Sequence, residues 1–506
     1  MKQEESYNHV LKYTGIFGGV QGLNILVSLV RNKVVALLLG PGGMGLVSLF
    51  NSTVSFISQA TNLGISFSAV RHVSEYFDQG DEQRITHFIR VVRSWSLLTA
   101  LLGMLVCMLA GPTLSSHTFA WGDHTLHFML LSPAVGMLAI TGGESAILKG
   151  ARQLRPLAVI QVYTILAALV ISLPLYYFFG QTAIVPVIVL MALVTMLLTL
   201  RHSYRLYPLH LFGERGILGE GMEMVRLGVA FVMAAVLGSG SEMLIRSYLN
   251  VVGDLDVVGL YNAGYMITMT YGGMVFSAME TDYFPRLSAI GNDSRQRNDV
   301  VNRQSEVTLL IIAPLLALLM VALPLVIPLL FSRDFMPVIP LCQVTLLSMY
   351  FRAIYLPIGY IPLARGDSWS YLLLEALSYI CLVGFVFIGY RWDGLTGTGY
   401  GLAMANFFDV IIAGTYAFFR YGYRPSMSVI NYFLIQFFIG FVIFLMAFVD
   451  NTVIRWLAGI LLTFVSFSVT LYILHQKSSL WASLINKFSY KFGLPSGWFA
   501  GRRHRE

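Results

Sequence analysis

The sequence predicts an all-α polytopic membrane protein of about fourteen transmembrane helices, arranged as two pseudo-symmetric six-helix lobes plus two C-terminal helices. Three observations carry this. Of 506 residues, 56% are hydrophobic and only 12% charged, with a mean hydropathy of +0.71, more apolar side chain than a water-soluble interior of this length hides. Apolar stretches of about 20 residues recur from end to end, each long enough to cross about 30 Å of hydrocarbon as a helix. Nothing between them is long enough to fold separately.

Apolar runs bounded by Gly, Pro and charge place the helices at about 13–40, 44–69, 94–114, 125–149, 156–179, 181–200, 226–252, 258–284, 306–330, 337–364, 368–390, 395–419, 430–449 and 453–475. GPGG separates the first two, the charged stretch 80–93 precedes the third, and 115–124 turns the chain into the fourth. GARQLR, then Gly180, then the polar stretch 201–225 bound the fifth and sixth. GDLDV, the run 285–305 and FSRDFMP bound the seventh to tenth, while RGD, RWDG and DNT punctuate the remainder. The polar N-terminus leads into an apolar helix without a small-residue cleavage site, as a retained cytoplasmic tail does.

An even helix count puts both termini on one side. With that side cytoplasmic, its connections carry Arg71, Arg84, Arg90 and Arg93, then Lys149, Arg152 and Arg155, then Arg201, Arg205 and Arg215, then Arg286, Arg295, Arg297 and Arg303. The C-terminal tail adds Lys477, Lys487, Lys491, Arg502, Arg503 and Arg505, against Arg333, Arg391 and Arg455 opposite. The net charge of +7 therefore reports topology and contact with anionic membrane lipids, and gives no reason to invoke nucleic acid. Cys107, Cys342 and Cys381 lie far apart in apolar stretches, so neither disulfide nor metal spacing is suggested, and no cofactor is implied.

Helices seven to twelve begin about 212 to 215 residues after helices one to six, the trace of an internal duplication. LVRNKVVALLLGPGGMGL against LIRSYLNVVGDLDVVGL supports it, pairing Arg31 with Arg246 and Gly45 with Gly259. The expected division is 1–215, 216–425, two further helices over 426–476, and a basic cytoplasmic tail over 477–506. Each lobe having an even number of helices, the copies share orientation about an axis along the membrane normal, with a cavity between them.

The stretch LLLGPGGMGLVSLFNSTVSFISQATNLGISFSAVRHVSEY, followed in order by GLYNAGYMI, YFPRLSAI, LLFSRDFMPVIPL and GLTGTGYGLAMAN, resembles bacterial O-antigen and polysaccharide flippases of the multidrug/oligosaccharidyl-lipid/polysaccharide exporter superfamily. The resemblance spans most of the chain. It implies a MATE-like fold in the bacterial inner membrane and a substrate that is an undecaprenyl-pyrophosphate-linked oligosaccharide, moved from the cytoplasmic to the periplasmic leaflet. Other membrane proteins of polysaccharide assembly are implied as partners. A peptidoglycan lipid II flippase and a cation-coupled drug exporter of the same superfamily stay open as alternatives. A polysaccharide polymerase or ligase ranks below them, because the longest outward connection, near 115–124, is only about ten residues. No GxxxxGK[ST] phosphate loop occurs, so energy would come from an ion gradient, the membrane potential or substrate supply.

Charges inside the spans nominate the site, since each costs at least about 2.5 kcal/mol on insertion scales. Arg352, with Tyr355 nearby and no acidic neighbour within a turn, suits a pyrophosphate. Arg31 lies about 13 Å from its helix end, by the helical rise, deep for snorkelling. Lys33, about 200° around that helix, faces elsewhere, with outward snorkelling as its simpler reading. Arg246 follows Glu242 by one turn, so the two either serve the cavity or form a structural pair. Asp409, Glu375 and Glu242 are candidates for a coupling proton, or for a buried or paired carboxyl. Glu144 near Lys149, and Glu280 and Asp282 near Arg286, read as interface anchors. Pro314, Pro324, Pro328, Pro357 and Pro362 are candidate kinks.

Overall fold

Hydrocarbon offers a peptide group no hydrogen-bond partner, so a spanning segment satisfies its own backbone by closing into a helix. The computed structural model describes residues 2–118, 123–209, 217–290 and 293–477, with only the backbone path given over 2–25. Among the described residues there are fourteen α-helices: α1 (Lys2–Thr61), α2 (Ile65–Gln79), α3 (Glu82–Thr118), α4 (Thr125–Gly150), α5 (Leu154–Phe179), α6 (Ile184–Leu206), α7 (Ile217–Val252), α8 (Leu255–Tyr265), α9 (Met274–Ser288), α10 (Ser294–Leu330), α11 (Ile339–Ala364), α12 (Ser368–Tyr421), α13 (Met427–Met446) and α14 (Thr452–Lys477). The basic tail beyond Lys477, Arg215, and the side chains of Glu280 and Asp282 lie outside the described residues.

Nine stretches among the described residues are long and apolar enough to cross a bilayer. Three of these, Leu26–Thr61, Arg155–Leu206 and Ser368–Tyr421, are interrupted. Unbroken, α12 would run about 80 Å at 1.5 Å per residue; it breaks at Asp393 and Gly394, the latter at φ 52°. Gly40 at φ 65° breaks α1, and a 3-10 turn at Gly180–Ala183 separates α5 from α6. The halves match the helix pairs expected from the sequence. The chain is a multi-pass, all-α membrane protein.

Several expected boundaries move. The second expected helix ends at Thr61, where Leu63 and Gly64 take positive φ. A separate amphipathic helix, α2, follows and buries Ile65, Ala69 and Val73 along one face while Arg71, Glu75 and Phe77 stay exposed. The third helix starts at Glu82 rather than 94, so its first turns are charged helix rather than loop. The eighth is α8 and α9 joined through a π turn, Met266–Tyr271. The five prolines read as candidate kinks all lie inside continuous helices: Pro314, Pro324 and Pro328 in α10, and Pro357 and Pro362 in α11. The interruptions of α1 and α12 fall at Gly40, directly before Pro41, and at Asp393 and Gly394, with each glycine at a positive φ that its missing Cβ permits.

Packing groups the chain into two compact units, each discontinuous in sequence. The first holds residues 1–265, 327–339 and 368–401. In it α3 lies along α4 and α1 crosses α8. That crossing is made by the two glycines aligned in the sequence repeat. A Cβ on Gly45 would stand 2.1 Å from the carbonyl oxygen of Leu255, and one on Gly259 would stand 1.9 Å from that of Pro41. Each glycine therefore meets the carbonyl four residues before the other, a reciprocal contact that pseudo-symmetric copies make. The second unit holds 266–326, 340–367 and 402 onward. Its core gathers Tyr283, Leu287, Val301, Ile358, Ile361, Ala413 and Ala417. Deeper, Gln436 of α13, fully buried, donates to Thr470 Oγ1 of α14 at 3.1 Å and accepts from Ser466 Oγ at 2.6 Å. Thr470 in turn donates to the carbonyl of Leu310 at 3.0 Å, so polar side chains tie α10, α13 and α14 together as they do between membrane helices. The division of the sequence at 215/216 and 425/426 is a proposal about the repeat, distinct from this grouping by packing.

Gly45→Leu or Gly259→Leu must force α1 from α8, at a cost of at least about 1–3 kcal/mol. We expect either to lower the melting temperature in detergent and the monodisperse yield, whereas Gly219→Ala, with open space at its Cβ, leaves both unchanged or raised.

Candidate functional site

In hydrocarbon, a charged side chain is either met by the protein or left to be met by something else. The candidate residues separate on that criterion.

Within the first unit most are engaged. The Arg246 guanidinium donates from Nε to Ser48 Oγ at 2.7 Å, from Nη1 to Glu242 Oε2 at 3.0 Å, and from Nη2 to Asn262 Oδ1 at 3.4 Å. Ser48 passes its own proton to Asn262 Oδ1 at 2.9 Å, and the Tyr265 ring lies 5.9 Å from Arg246 Cζ. Of the two readings of Glu242 and Arg246, the structure makes the ion pair. Lys33 neither enters a cavity with Arg31 nor snorkels outward. It donates to the carbonyls of Pro328 and Phe331 at the end of α10, where unpaired carbonyls and the negative end of the helix dipole draw a cation. Arg31 is exposed on α1, close enough to Tyr176 of α5 for its charge to act there. Glu375 is hydrogen-bonded to Tyr379 one turn further on, with Tyr371 and Tyr265 around them.

Sequence reasoning missed the most buried ion pair. Glu144 does not anchor to Lys149, which is exposed. It binds Arg93, Oε1 at 2.8 Å from Nε, with both side chains 3% exposed. Arg93 also donates to the carbonyls of Tyr207 at 2.9 Å and Pro208 at 2.7 Å, and Ser203 donates to Glu144 at 2.5 Å. The pair ties α3, α4 and the end of α6 together. Its members are 51 residues apart, so no local spacing announced them.

In the second unit, α11 runs beside the second half of α12. Asn406 Nδ2 donates to Ser348 Oγ at 2.9 Å, Phe351 packs edge-on against Phe407 at 5.4 Å, and Ile358 and Ile361 meet Ala413 and Ala417 further along. Contacts advance in step on both helices, so the two are parallel and Asp409, buried, stands level with Arg352. Tyr355 is half-buried at the edge of the core around Tyr283, whose hydroxyl donates to the Pro357 carbonyl at 2.7 Å.

Arg352 itself is half-buried. Its Nη1 points at the thioether sulfur of Met269, in the π turn, at 3.8 Å. Its Nε is buried and no described protein group accepts from it. A thioether is a weak acceptor, and leaving a buried charged donor without a partner costs upward of about 1–3 kcal/mol. A planar, permanently charged fork so placed is matched by an oxyanion with two free oxygens. Among the described residues no three His, Cys, Asp or Glu side chains gather as a metal-ligand set.

A family model described as polysaccharide biosynthesis protein matches residues 10–291. No curated protein matches the chain significantly. Among solved structures, lipid II flippase MurJ in an inward closed conformation is similar at a TM-score of 0.69 and 14% identity, covering 91% of this chain and 99% of that one. A multidrug resistance MATE family transporter of the MOP superfamily, inward-facing, matches at TM-score 0.66 and 17% identity, covering 79% and 94%. A MOP superfamily transporter from Pyrococcus furiosus matches at TM-score 0.57 and 16% identity, covering 80% and 93%. At such identities the likeness is one of fold.

The two arginines should separate in stability measurements. Glu144→Ala strands Arg93 and is expected to destabilise by about 3–5 kcal/mol, read as a large fall in melting temperature in detergent. Arg352→Met removes a charge that no carboxylate pairs with, so the melting temperature should hold or rise. A fall as large as that of Glu144→Ala would make Arg352 a structural residue.

Proposed function

Because the chain belongs to the polysaccharide biosynthesis protein family, we propose that it is a flippase carrying an undecaprenyl-pyrophosphate-linked oligosaccharide, an O-antigen repeat unit, from the cytoplasmic to the periplasmic leaflet of a bacterial inner membrane. Both termini are then cytoplasmic, and the chain moves its substrate without making or breaking a covalent bond.

The observation that carries this reading is Arg352, a guanidinium within an apolar helix with no ion-pair partner among the described residues. The pyrophosphate supplies the missing counter-charge through two oxygens at once. The same feature disfavours a hydrophobic cation, the substrate class of a drug exporter, since a like charge would be repelled where screening is weakest. Tyr355, three residues on, offers an aromatic face to a sugar ring. Arg31 is an exposed cation of the first unit, while Arg246, Glu242 and Lys33 support the helices. Asp409 and Glu375 are the carboxyls left for ion coupling; Asp409, level with Arg352, is the first to test. The charged headgroup travels by alternating exposure to the two faces of the membrane while the polyprenyl tail stays in lipid.

A deletion strain complemented with wild type, Arg352→Met or Arg31→Ala at matched expression tests this. The deletion should lose surface polysaccharide and accumulate lipid-linked repeat units on the cytoplasmic side. Wild type should restore transport, and Arg352→Met should fail to while remaining folded. Normal surface polysaccharide in the deletion, with no second flippase gene present, would overturn the assignment.

A further inference from the structure

We propose that the cavity beside the first turns of α10 binds an aminophospholipid, a glycerophospholipid whose headgroup carries a primary ammonium next to its phosphate. The cavity encloses about 550 Å³, within the roughly 300–1,000 Å³ of small-molecule sites. Asp299, Arg303, Glu306, Val307 and Leu310 of α10 line it, with Leu474 of α14 across from them. Their spacing puts the α10 residues on one helical face. Along that face polarity falls with depth, from the charged residues near the helix start to Val307 and Leu310, as it does along a lipid from headgroup to chain.

Both signs of charge are on offer. Arg303 and Asp299 are exposed and, among the described residues, their side chains take part in no ion pair or hydrogen bond. Glu306 is 9% exposed and accepts from Ser426 Oγ at 3.3 Å, its carboxylate held in the wall. Asn302, also in the lining, is engaged at both ends of its amide: it donates to the Arg424 carbonyl at 3.0 Å and accepts from Tyr423 Oη at 3.1 Å and from the Ser426 amide at 3.0 Å. It closes the wall and leaves recognition to the three charged groups.

Those groups select the headgroup. A simple anion attracted to Arg303 meets Asp299 and Glu306, and a simple cation attracted to the acids meets Arg303. A zwitterion satisfies both, its phosphate on Arg303 and its ammonium on the carboxylates. A primary ammonium donates hydrogen bonds to the carboxylates, which a quaternary ammonium cannot. Access follows from position, since α10 and α14 both contain apolar spans and bilayer lipid lies directly against them.

The full chain, purified in mild detergent and offered equimolar phosphatidylethanolamine, phosphatidylglycerol and phosphatidylcholine of identical chains, is read by native mass spectrometry. Wild type should retain the ethanolamine lipid several-fold over the other two. Asp299→Asn and Glu306→Gln should each lower that preference toward the level of the choline lipid, and Arg303→Ala should lower retention of all three. Asp299 is exposed, so its variant keeps the test decisive if Glu306→Gln elutes as aggregate. Equal retention of the three lipids by wild type, or an undiminished ethanolamine preference in monodisperse Asp299→Asn, would overturn the proposal.

Discussion

The inability of hydrocarbon to solvate a charge organises this molecule. A lone ionised group in the bilayer is expensive by any scale, and most of the candidate charges have a partner built into the fold. Arg93 finds a carboxylate, a serine hydroxyl and two backbone carbonyls. Arg246 finds a carboxylate, a serine and an asparagine. Lys33 finds a helix terminus. In each case one long side chain reaches across to other helices, so satisfying the charge also fixes their relative placement. Buried pairs of this kind do little for net stability compared with apolar packing, yet breaking one leaves a stranded ion. They act as registry marks among helices whose apolar surfaces alone would slide.

Close helix approach supplies the complementary constraint. With lipid as apolar as leucine, helices gain little from hiding hydrophobic surface and depend on contact area and small residues. Gly45 and Gly259 allow α1 and α8 to meet backbone to backbone, and the carbonyl that each glycine faces comes from the turn before the other. Gln436, Ser466 and Thr470 do the corresponding work in the second unit with hydrogen bonds in place of missing side chains.

Composition and apolar run length were enough to read the helical, multi-pass class, because the length of an apolar run follows from bilayer thickness. Gly45 and Gly259 were legible as a repeat pair, though not as partners in contact, since an alignment of copies says nothing about which surfaces meet. The Glu242–Arg246 pair could be anticipated because its spacing is local to one helix. Arg93 and Glu144 could not, being brought together only by the packing of α3 on α4, and Lys33 was misread because its acceptors are backbone carbonyls almost 300 residues away. Arg352 stood out in the sequence by lacking an acidic neighbour. That its surroundings also withhold a partner, offering a thioether from the π turn, is a tertiary fact that no local pattern contains.

If the chain is the flippase proposed above, a guanidinium left in this condition has a consequence for transport. A ligand shifts a conformational equilibrium only by the difference between its affinities for the two states. An oxyanion on Arg352 gains most in whichever state excludes water most completely, because the attraction grows as the effective dielectric constant falls. Without the anion, that same state is the worst for Arg352, whose buried Nε has no described protein acceptor. On the proposed flippase reading, the empty protein would be held from closing by the very group that favours closing once the substrate is bound. An arginine already paired with a carboxylate would be nearly indifferent to both events, which is why Arg246, for all its burial, is the weaker candidate for coupling binding to movement.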